Sequence, residues 1–139
     1  MSAHAPVRYE SASCEMSIAS PVPGVVVLTI AGRDVGAFGA GPIHQLERYL
    51  SGVRPVELYI DARRTKGASV EVSSEWAQWL GANRAHFERI SMLTGSRFIQ
   101  MTAGFVRSFS GLEDVMRLYT EAAAFDEALA ASVAAGGSR

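Results

Sequence analysis

The segment Val25-Val26-Val27-Leu28-Thr29-Ile30-Ala31-Gly32-Arg33-Asp34 decides how this chain is read. Its first six residues are apolar or β-branched at both odd and even positions. That is the pattern of a strand buried on both faces. Such a strand needs neighbours. Upstream, Cys14, Met16 and Ile18 alternate with Glu15, Ser17 and Ala19, a half-buried strand. Pro21-Val22-Pro23-Gly24 turns the chain, so the two strands form an antiparallel hairpin. Downstream, Gly32 to Gly41 is a glycine-rich loop. Pro42 then opens a helix over 42–52 with Ile43, Leu46 and Leu50 on one face.

Beyond that helix the two periods continue to alternate. Val56, Leu58 and Ile60 interleave with Glu57, Tyr59 and Asp61, a third strand, and Arg63-Arg64-Thr65-Lys66-Gly67 reads as a basic loop. A helix is predicted over 73–88, opening at Ser73 or Ser74, with Trp76, Trp79, Leu80, Asn83 and Phe87 on one face. Ile90 to Thr94 is a short apolar fourth strand. The helix over 97–110 places Phe98, Ile99, Met101, Phe105, Val106 and Phe109 within an arc of roughly 160°, and Gly111 ends it. Val115 to Tyr119 fits a fifth strand, with helix as the alternative. Thr120 caps a last helix over 121–134, which carries Phe125, Leu129 and Val133 on one face. Strand–helix alternation of this kind predicts an α/β fold. The expected sheet is mixed and mostly parallel, with four to five strands opened by a hairpin, and about four helices pack on it. Residues 1–12 are expected as a flexible arm, 13–134 as one domain and 135–139 as a flexible tail.

Composition narrows the function classes. Of 139 residues, 48% are hydrophobic and 19% charged, enough for a real core and unlike a disordered chain. A net charge of −1 gives no reason to expect nucleic acid as a partner. Cys14 is the single cysteine, and His4, His44 and His86 are scattered, so neither a disulfide framework nor a metal site is expected. The glycines at 32, 36, 39 and 41 match no nucleotide fingerprint, and no cofactor is expected. The longest apolar stretch, Val25 to Ala31, is too short to span a membrane, and the first ten residues do not read as a signal peptide. A cytoplasmic protein with a reduced thiol is the expectation.

The order of elements resembles the STAS domains. Val27 to Asp34 looks like that family's apolar strand and Gly-x-x-Asp turn. The strand ending at Asp61 looks like its Val-x-Leu-Asp strand, and Tyr119 through Phe125-Asp126-Glu127-Ala128-Leu129 is similar to its last strand and Phe-x-x-Ala-Leu helix. The resemblance covers about residues 13–131. It implies a module that binds a partner, as the bacterial anti-sigma factor antagonists bind a kinase and are switched off by phosphorylation of a serine in an Asp-Ser-Ser-Gly turn. Here the corresponding stretch is Glu71-Val72-Ser73-Ser74-Glu75-Trp76, without that Asp or Gly. The chain looks closer to the divergent STAS-like subgroup sometimes grouped with CRAL-TRIO lipid-binding domains.

The candidate sites follow. Ser73 and Ser74 are either a helix cap or a phosphorylation switch at a helix N-terminus. Arg63, Arg64 and Lys66 are either a solvated loop or a surface for an acidic partner. Trp76, Trp79 and Asn83 share a face that either packs internally or meets a ligand. On the third helix the apolar arc exceeds the stripe one sheet needs. Ile99 on one edge and Met101 on the other are therefore candidates for a homodimer or partner interface. No nucleophile sits beside a base, so no catalytic residue is expected. The leading expectation is a non-enzymatic regulatory protein-interaction module; the alternative is a binding domain for a small apolar ligand or lipid. A closed aromatic core favours the first, and an internal apolar cavity of a few hundred Å³ the second.

Overall fold

The computed structural model describes residues 6–52, 54–95 and 97–136, apart from the side chains of Phe98, Phe105 and Phe109. His4 and the start of the expected arm, residues 137–139 of the expected tail, and those three phenylalanine side chains therefore lie outside the described residues. The elements run β1 (Val7–Glu10), β2 (Cys14–Val22), β3 (Val25–Asp34), α1 (Gly41–Tyr49), β4 (Val56–Ala68), α2 (Val70–Ala82), a 3₁₀ turn at Arg84–His86, β5 (Phe87–Thr94), α3 (Arg97–Phe109), β6 (Met116–Tyr119) and α4 (Ala122–Ala134). The six strands form one sheet in chain order. β1–β2 and β2–β3 are antiparallel, while β3–β4, β4–β5 and β5–β6 are parallel. This is the mixed, mostly parallel α/β sheet expected, with two more half-hidden lengths of strand than the sequence suggested.

One of those lengths is β1. Residues 7–10, expected within a loose arm, pair with β2 from Val7 opposite Ile18 to Glu10 opposite Glu15. The other is the far half of β4. Arg63 to Gly67 is strand rather than loop: β3–β4 pairing continues through Ala31 opposite Arg64 to Asp34 opposite Ala68. Two β-bulges take up the extra residues of β4. Arg64 and Lys66 point to solvent while Thr65 and Gly67 are buried, and the Thr65 hydroxyl donates to the Ile30 carbonyl at 3.0 Å. Period-2 alternation runs from Arg64 to Gly67, with Arg64 and Lys66 in its exposed phase, and the bulge between Asp61 and Arg64 leaves Arg63 exposed as well.

Alternation sorts the core into two layers. Ile18, Val26, Leu28, Leu58, Ile60 and Ile90 face α1, α2 and α3, where they meet Leu46, Leu80 and Val106. Val25, Tyr59, Leu93 and Tyr119 face α4 and pack on Phe125, with Leu129 and Val133 alongside. Burying each such side chain contributes roughly 1.5–3 kcal/mol. The third helix ends in a Schellman arrangement. The Leu112 N–H bonds the Arg107 carbonyl at 2.9 Å and the Gly111 N–H bonds the Ser108 carbonyl at 3.3 Å. Gly111 takes the left-handed conformation, φ 68°, that the motif requires. Thr120 does not cap α4: Glu121 stands at that position, without a side-chain cap. Among the described residues no helix is long and apolar enough to cross a membrane.

Candidate functional site

The second helix sets the geometry of the site, and it differs from the expected one. It starts at Val70, and its N-cap is Ser69, whose hydroxyl accepts from the Val72 N–H at 3.2 Å. Ser73 and Ser74 therefore lie inside the helix and cap nothing; Ser73 is half-buried and Ser74 exposed. The helix ends at Ala82, and Phe87 opens β5 instead of closing α2. The break comes at Asn83, which is the C-cap. Its Nδ2 donates to the Trp79 carbonyl at 2.9 Å, which ties the amide to the end of the helix. Ser69→Ala is expected to cost about 0.5–2 kcal/mol, the usual value of a lost cap. Ser73→Ala and Ser74→Ala should stay below that in urea melts, and the reverse ranking would mean that the helix starts later.

Between the sheet and the helices α2 and α3 lies an apolar cavity of about 100 Å³. Leu28, Ile60 and Met92 form its floor, with Trp76 and Leu80 on one wall and Ile99 on the other. The cavity gathers three of the sequence-derived candidates, Ser73, Trp76 and Ile99. It also holds one that sequence reasoning passed over, Asp34. This carboxylate ends β3, is only 6% exposed, and its Oδ1 accepts from the Gly36 N–H at 3.0 Å. Asp34 was legible as a turn residue, but its burial comes from β4 running alongside, a pairing 34 residues away in sequence. An adjoining narrow space shares Asp34, Val72 and Trp76 with the cavity and adds Glu75.

The remaining candidates are dispersed. Trp79 is buried, crosses Trp76 and Phe87 edge-on at ring separations of 6.0 Å each, and donates its indole N–H to Glu47 at 3.0 Å. It is a core residue. Arg63 pairs with Asp61 at 3.0 Å and with Asp126 of α4 at 2.6 Å. These two carboxylates, Asp126 foremost, raise the pKa of its guanidinium. Arg64 and Lys66 flank a shallow depression together with Cys14, Glu15 and Gly32. Ile99, expected at an exposed edge, is buried at 4%, whereas Met101 is 69% exposed. The arc is therefore covered on the Ile99 side and open at Met101.

Two further groups bear on chemistry. Cys14 opens β2, which lies between β1 and β3. Burial pushes its thiol up to about 11, with Asp34 and Glu15 adding to the shift, so at neutral pH it is a protonated thiol and a poor nucleophile. Beneath α4, the Ser132 hydroxyl donates to Glu57 at 2.7 Å. The Tyr59 hydroxyl donates either to Ser132 Oγ, 2.5 Å away, or to the Ala128 carbonyl, 3.1 Å away. Ser132 and Glu57 are 8% and 6% exposed, Glu57 also meets the exposed Arg89 at 3.7 Å, and the network ties α4 to the sheet. His44 and His86 are both exposed. Among the described residues no three His, Cys, Asp or Glu side chains group as metal ligands.

Taken together, among the described residues a hairpin-opened mixed sheet with three helices on one face and one on the other makes a STAS-like α/β fold. Among solved structures, the chain is similar to an uncharacterized DUF3478-family protein with a SpoIIAA-like fold from Shewanella loihica PV-4. The TM-score is 0.59 at 12% identity, over 90% of this chain and 92% of that one. The likeness shows the fold, which is SpoIIAA-like. No family model matches the chain, and no curated protein does.

Proposed function

We propose that the chain is a non-enzymatic regulatory module of STAS-like type that acts in the cytoplasm by docking a protein partner. The observation that supports this reading is where the exposed large apolar side chains among the described residues fall. Val35, Val70 and Met101 are 55%, 79% and 69% exposed. Val35 directly follows β3, Val70 opens the helix after β4, and Met101 lies early in the helix after β5. All three strands are parallel, so their carboxyl ends share one end of the molecule. Apolar residues grouped there would gain from being covered, and this is also where open α/β sheets place their ligands. Cys14 is poorly suited to nucleophilic catalysis, and the Ser132–Glu57 pair is enclosed.

The test is a Val70→Glu/Met101→Glu variant. Both positions are exposed, so stability should change by about 0.5 kcal/mol or less per site. Affinity capture with the wild type is expected to retain a protein that the variant loses at least tenfold, while Glu88→Lys at the opposite, amino-terminal end of β5 keeps it. If the captured proteins are the same for all three, the docking reading is wrong. Sedimentation equilibrium on the same set decides whether the partner is a second copy of this chain.

The cavity favours a second reading, a binding site for a small apolar ligand. At about 100 Å³ it is smaller than the few hundred Å³ that would hold a lipid, which is why partner docking leads.

A further inference from the structure

We propose that the α2–α3 cavity and the narrow space beside it select a small primary amine: one ring or a short branched alkyl group for the apolar cavity, and an ammonium in the narrow space bordered by Asp34 and Glu75. This inference rests on the second reading above and adds the chemistry of the ligand.

Size comes first. About 100 Å³ is of the same order as a 150 Å³ engineered cavity that holds benzene, and far below what an extended acyl chain needs. The wall is almost entirely hydrocarbon, from Leu28, Ile60, Leu80, Met92 and Ile99, with Trp76 offering an aromatic surface. Such a wall gives affinity in proportion to buried area and little orientation.

Charge supplies the orientation. Asp34 borders both the cavity and the adjoining narrow space, and Glu75 borders the latter. Among the described residues lining the two spaces there is no Lys, Arg or His. Asp34 is nine-tenths buried, and the side-chain hydrogen bond seen to it among the described residues is the Gly36 N–H at 3.0 Å. A carboxylate offers about four acceptor positions, so that bond leaves capacity for a second donor. An ammonium there would form a charge-assisted hydrogen bond. A ligand carboxylate would meet like charge away from bulk water, which is rejection by an unpaired buried charge. Trp76 lines both spaces, which places an indole beside the ammonium as a cation–π partner.

The test uses three probes of nearly equal shape, benzylamine, benzyl alcohol and benzoate, titrated into ¹⁵N-labelled protein at low salt. Benzylamine is expected to shift the Trp76 indole and the α2 and α3 amides, and to bind at least tenfold more tightly than benzoate, with benzyl alcohol between them. Asp34→Asn keeps an acceptor for the Gly36 N–H, and it should reduce the gap between amine and carboxylate to threefold or less. If that variant does not fold, Glu75→Gln at an exposed position carries the same comparison, with a smaller reduction expected. Equal binding of all three probes at the cavity would leave the ligand reading standing and overturn the selection by charge. Absence of binding by benzyl alcohol and benzylamine alike, or shifts confined to residues away from α2 and α3, would overturn both.

Discussion

Phe125→Ala is expected to cost about 3–5 kcal/mol, the range for deleting a buried aromatic ring. Phe125 is 1% exposed and meets Tyr59 and Tyr119 edge-on, at ring separations of 5.7 and 5.8 Å. It is the centre of the smaller core layer, and α4 covers that face of the sheet alone among the described helices. The polar ties beneath the helix depend on it. The Tyr59, Ser132 and Glu57 side chains are hydrogen-bonded to one another only while α4 is seated. If α4 loosens, Tyr59 and Glu57 lose their bonds to Ser132 together, Glu57 keeping, among the described residues, only Arg89 at 3.7 Å, so the loss should be cooperative. A domain of this size is stable by about 5–15 kcal/mol, so the variant should lose a large share of that. Urea unfolding should show a midpoint lowered by about 1 M or more, and hydrogen exchange should show α4 amides opening first. A midpoint within about 0.3 M of the wild type would mean that α4 is not held by this ring.

Much of the fold was legible because its strongest signals are local. Val25 to Ile30, apolar at both parities, is a central strand, flanked by β2 and β4 as that pattern demands. Phe125, Leu129 and Val133, four apart, are the face of α4 that packs on the sheet. Where the reading failed, a local rule was outweighed by a long-range pairing. Arg63 to Gly67 carries three cations in five residues, which suggests loop, yet β3 supplies a partner strand that keeps it extended. Tyr9 seals the same lesson for β1, since its hydroxyl reaches the Gly41 carbonyl at 3.2 Å and its ring lies 5.6 Å from Phe38.

The site was less legible than the fold. Two adjacent serines drew the helix start to Ser73 and Ser74, while Ser69, alone after a strand, is the cap. Val70 and Val72 are β-branched, and this hid the first turn of the helix. Trp76 and Trp79 are three apart and looked equivalent. Only the packing of Glu47 and Phe87 around Trp79 separates a core tryptophan from one that borders a cavity. Asp34 could not have been found as a site residue, because a buried carboxylate is defined by what surrounds it and not by its neighbours in the chain.

Gly32→Val is expected to cost about 3 kcal/mol or more, and the reason lies in the strand that decided the fold. Gly32 sits in β3 with φ at 89°, opposite Cys14 of β2 on one side and Thr65 of β4 on the other, where a β-bulge begins. A left-handed backbone costs an L-residue roughly 1–2 kcal/mol, and a β-branched side chain is a genuine outlier there. Space adds to the strain. A Cβ at Gly32 would stand 2.3 Å from the Ser13 carbonyl oxygen, and that oxygen accepts the Arg33 N–H at 2.8 Å. Backbone cannot move aside as a long side chain can, and overpacking of this kind costs typically about 1–3 kcal/mol. The two effects reinforce each other: relieving the clash means pulling β2 from β3, and relieving the dihedral means removing the bulge that lets Asp34 turn under α2. Gly104 provides the contrast. It lies within α3, and a Cβ there meets nothing within 4 Å. Gly104→Ala should therefore gain about 0.5–1 kcal/mol from helix propensity. The two variants should move the urea midpoint in opposite directions; if Gly32→Val is neutral, the β2–β3 register at Cys14 is not as described, and the wall of the cavity at Asp34 is misplaced with it.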